Sequence, residues 1–194
     1  MSTATNQKFR AAVITGAPGT GKTSIVSKLT IRARCIPEAA RRVLKHAHKH
    51  GGDATGDQNP AAFIEAMSAA MRDDLSFAKS SNAPIIFDRS LPDLIAYARW
   101  YEEMEKVKLP RHISPTSLER LCRQEMPKIA VFHCPVWDQI FTQDEERKMS
   151  LIQARQFDVM IQDAYQIRLG LTLTNVPIGP PEQRAQFIAK QMAL

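Results

Sequence analysis

Eight residues, Gly16-Ala17-Pro18-Gly19-Thr20-Gly21-Lys22-Thr23, constrain this chain more than any other feature. They match G-x-x-x-x-G-K-[ST] in full. The apolar run Ala11-Ala-Val-Ile-Thr15 precedes them, and a 3.6-period pattern carrying Ile25, Val26 and Leu29 follows. A chance match in such a chain has odds of roughly one in a hundred or less, given glycine at ~7% of residues. Strand, glycine turn and helix in that order form an anion nest. Glycine lets the backbone curl until successive N–H groups point inward, and the N-terminus of the helix adds its dipole. Lys22 then reaches the β- and γ-phosphates of a nucleotide, and the Thr23 hydroxyl ligates Mg²⁺, a hard cation that prefers oxygen. Residues 16 to 23, with Ser24 behind them, form the expected nucleotide-binding segment.

The rest of the chain repeats the alternation. Short apolar runs are expected as strands at 33–36, 84–88, 129–133 and 171–176. Helical periods are expected at 38–50, 59–80 (with Phe63, Met67, Met71 and Leu75 on one stripe), after Ser90, after Ser114, over about 138–169 with a break near Asp144, and from Pro181 to Met192. Five strands alternating with helices imply a three-layer α/β/α sandwich around a mostly parallel sheet. A ligand is then expected at the carboxyl ends of the strands. The 194 residues suit one domain. Residues 1–8 read as a flexible N-terminus, and 138–156 as a lid-like region.

Composition narrows the function classes. A hydrophobic fraction of 44% with 24% charged residues is that of a globular protein and excludes disordered, collagenous and disulfide-built chains. No apolar run approaches the roughly 20 residues of a membrane helix, and the polar start is not a secretory signal. Cys35, Cys122 and Cys134 share no C-x-x-C spacing, which argues for free thiols in a reducing, cytoplasmic setting. Of the net charge of +6, residues 1–50 carry ten Lys or Arg against one acid, Glu38. That excess suggests an anionic ligand, although solvated helix faces account for part of it.

A phosphate loop of this kind needs an acid at the end of a neighbouring strand to hold Mg²⁺ through water. The fourth strand ends in His133-Cys134 and the fifth in Asn175-Val176, so Asp88 fills that role by elimination; a helix-capping aspartate is the other reading. Glu38 follows the second strand and faces an acceptor hydroxyl as base or orienter, or else serves as a first-turn glutamate favoured by the helix dipole. Arg89 points at phosphate or acceptor, or forms a surface ion pair. Arg147, with Lys148, closes over the transferring phosphoryl group, or belongs to an exposed ion-paired helix. Arg41 and Arg42 bind an anionic acceptor or are solvated. His46, His48 and His50 do not share one helix face, which argues against a metal cluster.

Taken together, the glycine loop, Pro37-Glu-Ala-Ala-Arg-Arg42 and Phe87-Asp-Arg-Ser-Leu-Pro-Asp93 with Ala96-Tyr97 resemble a family of small P-loop (Walker A) proteins described as AAA-type ATPase domains. The sequence is similar to the nicotinamide riboside kinase domain of NadR-type proteins and, more distantly, to nucleoside and nucleotide kinases. The resemblance implies a strand order of 2-3-1-4-5, Glu38 facing the acceptor, Asp88 and Arg89 beside magnesium and acceptor, lid arginines at 147 and 155, and base contacts from Val176 to Pro180. It implies no ring ATPase, since the chain has no room for a separate helical lid domain.

The expected function is that of a kinase using ATP and Mg²⁺ on a small-molecule acceptor such as a nucleoside. The alternative is a nucleotide-dependent switch whose loop at 51–57 reports the bound state. A nucleic-acid or phospholipid binder is a third reading, and no RNA-binding aromatic motif supports it. Adenine is the default base because the Asn-Lys-x-Asp guanine motif is absent.

Overall fold

The computed structural model describes residues 11–50, 56, 58–141 and 149–194. Its sheet has five strands: β1 (Ala11–Thr15), β2 (Arg34–Ile36), β3 (Ile85–Asp88), β4 (Ala130–His133) and β5 (Leu173–Asn175). Their order is β2-β3-β1-β4-β5 and every pair is parallel. The sheet order is the one the resemblance implied.

Side-chain alternation along the strands divides the core between the two faces. Ala12 and Ile14 of β1 point with Ile86 and Phe132 toward α1 (Lys22–Leu29) and α7 (Pro181–Met192). Val13, Phe87 and Val131 point the other way. That face is covered by α3 (Pro60–Ser80), α4 (Leu91–Arg99), α5 (Pro115–Glu125) and α6 (Leu151–Gln162), with α2 (Ala39–His50) packed on α3. A sheet buried on both faces is the reason β1 and β3 read as unbroken apolar runs.

Caps set the helix starts. The Asn59 side chain accepts from the Ala62 N–H at 3.1 Å, with Pro60 at the first helical position of α3. Ser114 accepts from Ser117 N–H at 3.4 Å at the head of α5. Two helices run on into π-helical turns, α4 into Trp100–Met104 and α6 into Asp163–Arg168.

The long helix expected over 138–169 is shorter. Residues 138–141 form a turn in which Ile140 and Phe141 N–H both donate to the Trp137 carbonyl. The helix starts at Leu151, because Ser150 and Gln153 cap one another: Ser150 N–H donates to Gln153 Oε1 at 2.8 Å, and Gln153 N–H to Ser150 Oγ at 3.3 Å. Such a reciprocal pair satisfies two orphan donors and fixes a helix N-terminus. The expected break near Asp144 and most of the lid-like region fall outside the described residues, as does nearly all of the loop at 51–57. Among the described residues no helix is long and apolar enough to cross a membrane.

Candidate functional site

β1 delivers the chain into the glycine loop at the carboxyl edge of the sheet. Gly16 has φ +136°, and a Cβ there would lie 2.3 Å from the Cys134 carbonyl oxygen. Only glycine fits a turn so close to the neighbouring strand. Gly19 and Gly21 are also left-handed, at φ +79° and +78°. Lys22 folds back over the loop: Nζ donates to the Ala17 carbonyl at 2.7 Å and to Thr20 Oγ1 at 3.3 Å. Burial, and then the neighbouring Arg89 charge, bring its pKa down to about 8. Thr23 and Ser24, on the first turn of α1, present their side chains to solvent.

Asp88 closes β3 level with Ile14 of β1. Its Oδ1 is buried and makes no hydrogen bond. Burial first, and the Glu38 carboxylate next, push its pKa up to about 6. A buried carboxylate oxygen without a donor suits a hydrated cation. With the open Thr23 hydroxyl, the residues present fit Mg²⁺ held largely through water and phosphate oxygens.

Arg89 is no surface residue. Its backbone is left-handed at φ +70°, a conformation that costs a branched-free L residue ~1 kcal/mol or more. Its side chain is buried; Nε donates to Glu38 Oε1 at 2.7 Å and Nη1 to Asp93 Oδ1 at 2.9 Å. Arg41 Nε lies 3.4 Å from the other Glu38 oxygen. The Glu38 carboxylate is thus fixed at the mouth of β2 by two guanidinium groups. The ordinary first-turn glutamate would need neither.

Three further groups stand around the loop, and the sequence assigns none of them a role. The Asp93 carboxylate is the hub of the first: Oδ1 accepts from Thr15 Oγ1 (2.7 Å) and Arg89, and Oδ2 from Tyr165 OH (2.6 Å) and the Ser90 N–H (3.1 Å). The S-x-x-D spacing at 90–93 signals a helix start, and the motif that Asp93 closes carries the family resemblance, but neither gives Asp93 this role as a hub. The second joins β4, β5 and α6: His133 Nε2 meets Asp158 Oδ1 at 2.9 Å and Nδ1 meets Asn175 Oδ1 at 2.9 Å. Asp158 Oδ1 also accepts from the Ala17 N–H of the glycine loop at 3.3 Å. The third is Arg184, buried on α7, whose Nη1 donates to the Thr20 carbonyl at 2.9 Å. No local pattern marks Asp158 or Arg184.

The sequence matches the AAA domain family over residues 11–184. The chain belongs to the AAA domain family. No curated protein matches this AAA domain. Solved structures do share its fold. A NadR protein in complex with NR is 18% identical, with a TM-score of 0.69, over 96% of this chain and 52% of that one. The present chain therefore spans about half the length of that protein. Deoxyadenosine kinase from M. mycoides with bound dATP is 16% identical (TM-score 0.67; 95% and 100% covered). Thymidylate kinase from Candida albicans is 15% identical (TM-score 0.62; 96% and 92% covered).

In this AAA domain the remaining expected residues scatter. Arg147 and Lys148 lie outside the described residues. Arg155 is on α6, exposed and ion-paired with Asp138. Arg42 pairs with Asp74 of α3 rather than facing the loop. Val176 is buried behind β5, while Ile178 is exposed. Among the described residues no group of three or more His, Cys, Asp or Glu is placed to hold a metal ion.

Proposed function

We propose that this AAA domain is a small-molecule kinase that transfers the γ-phosphoryl group of ATP to a hydroxyl or phosphate acceptor, with nucleosides the first class to test. One observation carries the reading: the buried Glu38 carboxylate is held by Arg89, on the sheet edge that also bears Lys22 and Asp88. A protein that only binds or slowly hydrolyses nucleotide has no need of an oriented carboxylate facing the space beyond the phosphates. The shared fold of NadR, deoxyadenosine kinase and thymidylate kinase supports the same reading by analogy.

The steps follow from the residues. Amides 19 to 23 and Lys22 hold the phosphate chain, and polyphosphate entering beside Lys22 favours its charged form. Glu38, its position fixed by Arg89, accepts the proton of an acceptor hydroxyl as the oxygen advances on phosphorus. Arg89 stays charged throughout: burial opposes its charge, but Tyr97 and then the carboxylates of Glu38, Asp93 and Asp88 outweigh it and raise its pKa well above the usual range. Bound Mg²⁺ would neutralise charge on the β- and γ-oxygens; Thr23 and Asp88 are the residues that would hold it. Arg147 is proposed as the basic group that closes from the segment after β4. Three unpaired cysteines suit a cytoplasmic enzyme.

The test is ADP formation with Mg·ATP, measured with and without a panel of nucleosides and vitamin ribosides. One acceptor should stimulate turnover well above the basal rate, and Lys22→Ala should lose both turnover and the nucleotide-induced rise in melting temperature. If no acceptor stimulates ADP formation while ATP binding persists, the switch reading replaces the kinase.

A further inference from the structure

A buried arginine normally has a carboxylate beside it. Arg184 has none. It is 1% exposed, yet among the described residues it forms no ion pair, and its Nε and Nη2 are buried without a hydrogen-bond partner. Its Nη1 donates to the Thr20 carbonyl at 2.9 Å. The guanidinium carbon sits 5.2 Å from the centre of the Trp137 ring. The Cys134 thiol meets it through charge and a side-chain hydrogen bond, but burial keeps that thiol protonated and neutral, with a pKa pushed up to about 11. An uncompensated buried cation is costly and does not persist without a reason.

The reason lies in the loop it touches. The curl that turns the loop's N–H groups inward turns the Thr20 carbonyl outward, onto Arg184. Gly21 is shaped to the same contact, since a Cβ there would lie 2.9 Å from Arg184 Nη1. The guanidinium therefore grips the phosphate loop from behind, at the residue just before the α1 N-terminus. A polyphosphate entering the loop from the front brings the negative charge that the guanidinium lacks.

We infer that Arg184 is a positioning residue of the phosphate site: it fixes the curl of the loop through Thr20, and its unbalanced charge is compensated by the bound polyphosphate. This rests on the nucleotide-binding reading above. Arg184 does not touch the reacting atoms. It raises the affinity for the phosphate chain and is indifferent to the base.

Calorimetry of the full chain with Mg·ATP and with Mg·tripolyphosphate, which has no base, tests this. The wild-type protein should bind both; if it binds neither, the proposed function itself fails. Arg184→Met and Arg184→Gln should weaken both ligands by the same factor, about tenfold to a hundredfold. Arg184→Lys keeps the charge but loses the planar fork, and should fall between them and wild type. The unliganded Arg184→Met protein should melt no lower than wild type, because an unpaired buried charge has been replaced by an apolar group. A purely structural arginine would do the reverse. Unchanged affinity in Arg184→Met, loss of ATP binding with tripolyphosphate binding intact, or an Arg184→Met chain that does not fold would each overturn the inference.

Discussion

The Asp93 carboxylate is the point at which the site is most open to attack by a single substitution. It is fully buried and accepts four hydrogen bonds, from Thr15, Arg89, Tyr165 and the Ser90 backbone. Asp93→Asn preserves its shape but removes the charge and puts an N–H₂ group where two donors already point. Breaking a buried charged pair costs ~3–5 kcal/mol. Glu38 remains bonded to Arg89 and offsets part of that, so a loss of about 3 kcal/mol is expected. Against a total stability of ~5–15 kcal/mol, that is a large fraction. At ~2–4 °C per kcal/mol for a chain of this size, the melting temperature should fall by about 6–12 °C. Tyr165→Phe deletes one of the four donors and should cost ~1–3 kcal/mol. Urea titration followed by far-UV circular dichroism measures both. A double-mutant cycle of Asp93→Asn with Arg89→Met should show a coupling of at least ~1 kcal/mol, since the residues are in direct contact. The reasoning is refuted if Asp93→Asn is as stable as wild type within ~1 kcal/mol and the cycle is additive.

Three further outcomes are expected. Gly16→Ala places a methyl group against the Cys134 carbonyl at a φ that L residues avoid, so it should destabilise by more than ~1 kcal/mol and abolish the nucleotide-induced thermal shift; an unchanged shift would contradict the loop geometry. The pKa of Asp88 is raised to about 6, so the folded state holds this proton more tightly than the unfolded one and stability falls as pH climbs from about 4 to about 6. Asp88→Asn should therefore melt higher than wild type above pH 6 in the absence of ligand, while losing Mg²⁺-dependent turnover; thermal scans across pH and ADP assays read the two effects. For His133, burial lowers the pKa, but the Asp158 and Asn175 contacts outweigh it and the net shift is upward from 6.5. Its stabilising contribution is thus present below pH 6.5 and lost as pH rises through the folded-state value; Asp158→Asn should flatten the melting curve between pH 6 and 8.

What the sequence made legible is what depends on neighbours in the chain. The glycine loop, the caps at Asn59, Ser90 and Ser114, and the burial of Phe63, Met67, Met71 and Leu75 on one face of α3 all follow from short spacings. Asp88 and Glu38 could be placed because a parallel sheet puts every strand's carboxyl end on the same edge, so chain order alone brings them near Lys22. Asp93, Asp158 and Arg184 obey no such rule. Asp93 meets Tyr165 in the π-helical turn that continues α6, and Thr20 lies 164 positions from Arg184. In a sequence each is a charged residue in an amphipathic helix, as ordinary as the exposed Arg155 on α6.

The same contrast explains why residues 138–141 and 149–150 read as helix and are not. Polar residues at helical spacing describe a surface whether or not the chain is helical there, and the reciprocal pair at Ser150 and Gln153 sets the start of α6 at Leu151. From Leu151, Asp158 lies two helical turns along, buried against His133 and the amide of Ala17. The helix thus contacts the phosphate loop at one residue, seven positions from its start. The contact of Asp158 with the Ala17 amide therefore ties α6 to the loop. Severing it with Asp158→Asn should alter nucleotide affinity even though Asp158 lies outside the motif that binds the phosphates.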